Sequence, residues 1–217
     1  MDLKIKPVTV TAQTADRLRQ AIVSGHFQPN QRLIEADLCK SLGVSRSSLR
    51  EALRHLEAEK LISSTPNRGP SVRTINWKEA QEIYHVRAIL EGEAAALFTP
   101  IATSEHIEQM QTALDAFALA DQSNDEAGRL ASTSMFYSII LSNCGNSIIF
   151  DTLEGLRARI NFLRARSMSN PKRGKSSLQE MQAILDAIKQ RNPKQARKTA
   201  NAHVKSACRA ARLHVHP

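Results

Sequence analysis

Hydrophobic residues recur along the chain at helical spacing, and Gly, Pro and Asn interrupt them at intervals that mark out the predicted elements. Ala15, Leu18, Ala21 and Ile22 form one stripe of a helix that starts near Thr11 and stops at Ser24-Gly25. His26-Phe27-Gln28-Pro29-Asn30 is turn chemistry, because proline and asparagine disfavour further helix. A short helix over Glu35–Leu42 is closed by Gly43, and Ser45 caps a third helix running to about Glu59. Residues 61–64 and 71–74 predict two strands around the turn Pro66-Asn67-Arg68-Gly69-Pro70.

Beyond residue 75 the pattern is helical throughout. Asn76 caps a helix to about Phe98 and Thr103 one to about Ala120, and further helices follow over 126–142, 147–167 and 176–190. Asn192-Pro193, a capping residue followed by proline at the first helical position, opens a last helix to about Leu213. The clearest loop is 169–175. The fold class is therefore mainly α. Residues 1–75 are expected to form a winged helix-turn-helix, three helices plus a small β-hairpin wing, and residues 76–217 an all-α antiparallel helical bundle.

Composition narrows the function. Hydrophobic residues at 41% and charged residues at 24% exclude a mainly disordered chain. Lys and Arg number 30 against 21 Asp and Glu, a net charge of +9 that suits a polyanionic partner. The excess is densest in residues 1–75, with 12 basic and 7 acidic groups. No apolar run approaches the roughly 18 residues of a membrane span, and Met1-Asp2-Leu3-Lys4 opens no signal peptide, so no membrane partner is expected. Cys39, Cys144 and Cys208 are odd in number and lack metal-motif spacing, as in a reduced, cytoplasmic protein. Aromatics at 4% are too few for a single-strand stacking surface. No nucleophile–base pair, paired carboxylates, P-loop or Gly-rich nucleotide fingerprint appears, which argues against an enzyme and against a cofactor.

The segment EADLCKSLGVSRSSLREAL, 35–53, has the spacing of a helix-turn-helix. Leu38 and Leu42 face inward from one helix, Gly43 allows the tight turn, and Val44, Leu49, Ala52 and Leu53 pack the next. Ser45, Arg46, Ser47 and Ser48 then form a polar, cationic helix N-terminus, where hydroxyls, free N–H groups and the helix dipole favour phosphate. Arg46 suits a bidentate contact to guanine O6 and N7 in the major groove, Arg50 lies one turn on, and Arg54 reaches backbone phosphate. Arg68 and Gly69, at the turn of the two strands, make a wing able to approach the minor groove. One such arginine is an ordinary solvated charge; three on one helix beside a basic wing point to double-stranded DNA.

At these residues the chain resembles the GntR family of bacterial transcription regulators. The carriers are IVSGHFQPNQRL (22–33), LGVSRSSLREALRHLEAEKLI (42–62) and PNRGPSVR (66–73). The remainder resembles the FadR subgroup with its all-helical, ligand-binding FCD domain, through YHVRAILEGEAAAL (84–97), CGNSII (144–149) and LQEMQAILDAIKQRNPKQARKTANAHV (178–204). The resemblance implies operator contacts from Ser45, Arg46, Ser47, Ser48 and Arg50, with Arg68 and Gly69 in the wing. It also implies a homodimer on a palindromic operator, most often as a repressor, with the C-terminal bundle as the effector domain.

In the bundle the informative residues are polar ones on apolar stripes. Arg87 falls on the stripe Ile83, Val86, Leu90, Ala94 and Leu97, and a guanidinium in a bundle interior requires an anion. That anion is either an internal carboxylate such as Glu91 or Glu154 or the carboxylate of a small effector. His203 lies on the inward stripe of the last helix, with Ala196, Ala200, Val204, Ala207 and Ala211. Many domains of the resembled type hold a metal with one Asp and three His. Here those positions read Thr133, Tyr137, Met181 and His203, a set that does not meet the needs of a divalent ion. No metal is expected, and Arg87, Thr133, Tyr137, Met181 and His203 are expected to line an effector cavity for an organic acid. The competing reading is a DNA-binding or architectural protein without a small-molecule effector.

Overall fold

The computed structural model describes residues 9–65, 68–168 and 173–212. They divide between Thr74 and Ile75 into two compact units.

The first unit contains α1 (Val10–Val23), α2 (Glu35–Leu42), α3 (Arg46–Ala58), β1 (Ile62–Thr65) and β2 (Gly69–Val72). Gly43 ends α2 at φ 65°, a left-handed conformation that glycine adopts without steric cost, and its N–H bonds to the Cys39 carbonyl. Two residues later the Ser45 side chain accepts the Ser48 N–H at 3.2 Å and starts α3. Leu18, Ile22, Leu49, Ala52 and Leu56 close the core between α1 and α3. Arg19 of α1 ties the end of α3 through a fork onto Glu59, with Nε to Oε2 at 2.7 Å and Nη2 to Oε1 at 2.5 Å.

The hairpin pairs Ile62 with Val72 and Thr65 with Gly69. The strands are thus displaced from the expected 61–64 and 71–74, and Gly69 and Pro70 belong to β2 rather than to the turn. The cause is a third strip of extended chain that the sequence did not announce. Leu33 N–H bonds to Pro70 O and Val72 N–H to Gln31 O, each at 2.9 Å, which draws β2 toward residues 31–33. Pro66 and Asn67 of the expected turn lie outside the described residues.

The second unit is a bundle of α4 (Trp77–Phe98), α5 (Ser104–Gln122), α6 (Glu126–Asn143), α7 (Ser147–Met168), α8 (Arg173–Lys189) and α9 (Pro193–Arg212). The starts follow the anticipated caps: Asn76 accepts from Glu79 N–H at 2.8 Å and Asn192 from Gln195 N–H at 3.0 Å. Two expectations are corrected. The loop expected over 169–175 is helical from Arg173 onward, where the buried Arg173 pairs with Glu180 further along α8 at 2.6 Å; 169–172 lie outside the described residues, as does Leu213. The buried face of α4 is also phased differently. Val86 and Leu97 are exposed, and the inward face is Ala80, Ile83, Tyr84, Arg87, Ala88, Glu91, Ala95 and Phe98. Small residues let α4 approach α9 closely, and Asn201 of α9 donates to the Ala88 carbonyl at 3.1 Å. Among the described residues no helix is long and apolar enough to cross a membrane.

Candidate functional site

Two constellations stand out, one in each unit. On the first unit, Ser45, Arg46 and Ser47 are exposed at the start of α3 and Ser48 is half-buried. The Ser45 hydroxyl lies 2.9 Å from that of Ser47 and 3.0 Å from that of Ser48, so three hydroxyls cluster where the helix dipole is positive. Among the described residues Arg46 makes no ion pair. It borders a concavity of about 450 Å³ together with Arg32, Glu35, Gly69 and Pro70, which brings the start of α3 and the base of the wing to one surface. Arg50 is held by Glu35 at 3.0 Å and Arg54 by Glu51 at 3.1 Å, both on exposed faces. Exposed pairs of this kind contribute about 0–1 kcal/mol and exchange readily for a phosphate. Arg68 is exposed at the hairpin turn, its N–H on Thr65 O at 3.0 Å. Arg32 was not singled out as a contact residue; it bridges to Ser71 of β2 and joins this surface only through the unannounced extended strip.

In the bundle, polar side chains from five helices form one buried seam. Arg87 is fully buried and its Nε donates to Glu91 Oε1 at 2.8 Å, so of the two partners open to it in the sequence the internal Glu91 occupies the site. Glu154 instead pairs with Arg157 at 2.6 Å. Arg164, 6% exposed, approaches Glu91 only to 3.7 Å and stacks over the Tyr137 ring at 4.9 Å. Tyr137 lies beside His203, ring centroids 5.8 Å apart. His203 Nδ1 is 2.8 Å from Glu180 Oε2, which also receives Arg173 Nη2 at 2.6 Å. A carboxylate only accepts, so His203 carries its proton on Nδ1 and donates.

The electrostatics follow from this geometry. Burial raises the Glu91 carboxyl, but Arg87 and Arg164 outweigh it and hold it ionised. Burial likewise raises Glu180, while hydrogen bonds from His203 and Arg173 bring it down to about 2. Burial, with Arg173 close by, keeps His203 below the ordinary histidine value and therefore neutral. Burial, reinforced by Arg87, pulls Arg164 down to about 10, still protonated at neutral pH. The seam thus contains three guanidiniums, those of Arg87, Arg164 and Arg173, against the carboxylates of Glu91 and Glu180. Arg87 claims one carboxylate and Arg173 the other. Among the described residues Arg164 has no carboxylate of its own and shares Glu91 at 3.7 Å.

Of the five expected effector residues, Tyr137 and His203 adjoin through their rings. Tyr137 lines a cavity of about 440 Å³ between α6 and α7, with Glu91, Asn161 and Arg164 beside it. Thr133 is buried with its hydroxyl on the Arg129 carbonyl at 2.8 Å, and Met181 is fully buried. Arg87, Thr133, Met181 and His203 do not line that cavity. The residues at the implied metal positions do not fit a cation. The Thr133 hydroxyl is committed, Met181 offers a soft thioether, burial keeps the Tyr137 phenol protonated, and Arg164 and Arg173 repel positive charge. Among the described residues no group of three or more His, Cys, Asp or Glu is placed to hold a metal ion. Arg164, Arg173 and Glu180 were not assigned site roles from the sequence, and Glu91 entered only as a candidate internal partner of Arg87.

Comparison with known proteins places both units. The pattern of the gntR family of bacterial regulatory proteins matches residues 10–72, and that of the FCD domain matches residues 82–206, more than half of the chain. The chain belongs to the gntR family and carries an FCD domain. Over 95% of its length this regulator is 29% identical to the HTH-type transcriptional regulator YdhC of Bacillus subtilis, 93% of which is covered. A transcriptional regulator GntR from Rhodococcus sp. RHA1 shares the fold with a TM-score of 0.81 at 25% identity, over 95% of this chain and 99% of that one. The structure of Escherichia coli McbR/YncC superposes with a TM-score of 0.86 at 21% identity, over 97% of this chain and 100% of that one.

Proposed function

We propose that this GntR-family regulator is a cytoplasmic repressor, not an enzyme, that binds a palindromic operator as a homodimer and is controlled by a small organic acid bound in its FCD domain. The observation that carries the DNA half is Arg46, exposed at a serine-capped helix start, free of ion pairs among the described residues and sharing a concavity with the wing. Arg46 reads a guanine edge; Ser45, Ser47, Ser48, Arg50 and Arg54 hold phosphates around it; Arg68 and Gly69 bring the wing to the neighbouring groove. Two-fold symmetry puts the two recognition helices about 34–36 Å apart, one turn of DNA. The exposed apolar residues Val86, Ile89, Leu97 and Ile101 supply surface that a second copy can cover.

The effector half is supported by the buried seam, which holds one more cation than carboxylates. Effector and operator then change each other's affinity by the same factor. The test is a gel-shift competition between operator and bulk DNA. Arg46→Ala should lose about 1–3 kcal/mol of discrimination while the helical circular dichroism is retained. Unchanged operator preference in that variant removes the assignment.

A further inference from the structure

Resting on the reading that the FCD domain holds an effector, we propose that the ligand is a monocarboxylate with an apolar body, seated in the cavity between α6 and α7 and anchored directly by Arg164 and Tyr137. Among the described residues six buried side-chain polar atoms lack a hydrogen-bond partner, on Arg87, Arg129, Tyr137, Arg159, Arg164 and Arg173, and two of them carry this inference. The Arg164 Nε and the Tyr137 hydroxyl are the two of the six whose side chains line one cavity, where Arg164 Nη1 donates only a long bond, 3.4 Å, to Asn161 Oδ1. Unmade hydrogen bonds of this kind are rare in native interiors, and a buried cation lacking its own anion is the costliest of them. A ligand carboxylate supplies the acceptor for both groups and the charge that Arg164 lacks. The guanidinium replaces a metal ion as the anion's counter-charge, so binding needs no metal.

The walls set the rest of the ligand. Met135, Leu141, Phe150, Leu153 and Ile160 give the half-open cavity an apolar side, Ser134, Ser138, Ser142 and Asn161 add polar edges, and its volume of about 440 Å³ lies within the usual range for small-molecule sites. A second negative group is disfavoured, because Glu91 and Glu154 both line the cavity and Arg157, the other lining cation, is already paired with Glu154 at 2.6 Å. Dicarboxylates and phosphorylated sugars are therefore poor fits, while medium-chain and aryl-alkyl monocarboxylates match both the single anchor and the apolar walls.

The test is calorimetric titration and thermal shift of the full chain with octanoate, 4-phenylbutyrate, suberate, citrate and octanamide, with and without a chelator. Octanoate or phenylbutyrate should bind at least tenfold tighter than suberate or octanamide, unaffected by chelation. Arg164→Gln should weaken that binding ten- to hundredfold and Tyr137→Phe by up to tenfold, the ranges for charge-assisted and neutral hydrogen bonds. Met135→Trp, at a partly exposed wall position, should block the cavity and abolish binding without touching the anchor. Acid binding unaltered in Arg164→Gln and Met135→Trp would overturn this site and leave the effector reading standing. Preference for suberate or citrate would overturn the ligand class. Absence of binding by every acid would overturn the inference and the effector reading together.

Discussion

Among the described residues Glu91 is the single carboxylate paired with both Arg87 and Arg164, so its neutralisation is the most informative perturbation of the bundle. In Glu91→Gln the shape is kept, but Arg87 loses a 2.8 Å ion pair and Arg164 its 3.7 Å one, in a region where Arg87 is fully buried. Removing one partner of a buried pair costs about 3–5 kcal/mol, because the remaining charge stays desolvated. For a chain of this size that corresponds to a fall in Tm of roughly 10 °C, at about 2–4 °C per kcal/mol. Arg164→Met should do the opposite. It deletes the cation that has no carboxylate of its own and leaves the Arg87–Glu91 pair whole, so stability should hold or rise by about 1–2 kcal/mol. Urea unfolding followed by fluorescence isolates the bundle, since the one tryptophan is Trp77 at the start of α4. The reasoning fails if Glu91→Gln costs less than about 1 kcal/mol, or if Arg164→Met is as damaging as Glu91→Gln.

Acidification should act in two separate windows. His203 is held below its ordinary value of about 6.5, so the unfolded chain binds a proton that the folded one refuses, and stability present above that value is lost as pH falls below it. Glu180, held at about 2, contributes stability above the ordinary glutamate range that is lost only as pH drops toward its folded value. Urea midpoints against pH should therefore fall as pH drops below about 6.5 in the wild type and flatten there in His203→Gln; an equal slope in both removes His203 as the cause. A Cβ added at Gly174 would collide with the Asp121 carboxylate, which pairs with Arg129 at 3.5 Å. Gly174→Ala should thus cost about 1–3 kcal/mol, although alanine in a helix ordinarily stabilises, and Asp121→Ala in the same chain should recover most of it. A stabilised single variant contradicts the packing.

Most of the fold was legible because its boundaries are made by local chemistry. Ser45, Asn76, Thr103 and Asn192 each cap the helix they announce, and Gly43 turns as only a left-handed residue can. The exposed polar start of α3 was legible for the same reason, since a capped helix presents its own N-terminus. The buried seam was not. Hydrophobicity places Val86 and Leu97 inside α4, whereas α9 selects the small-residue face and turns those two outward. Arg157, Arg159, Arg164 and Arg166 are identical letters on α7, and packing against α4, α6 and α9 buries only Arg164 among them. Arg173 sits in a basic stretch that reads as loop until its partners Glu180 and His203 are brought from seven and thirty positions away.

The unmatched guanidinium of α7 sets robustness against responsiveness. Under the proposal that Arg164 anchors the effector, a neutral residue of similar volume at position 164 relieves an electrostatic debt that the fold carries without ligand, so variants deaf to the signal should be sturdier than their parent.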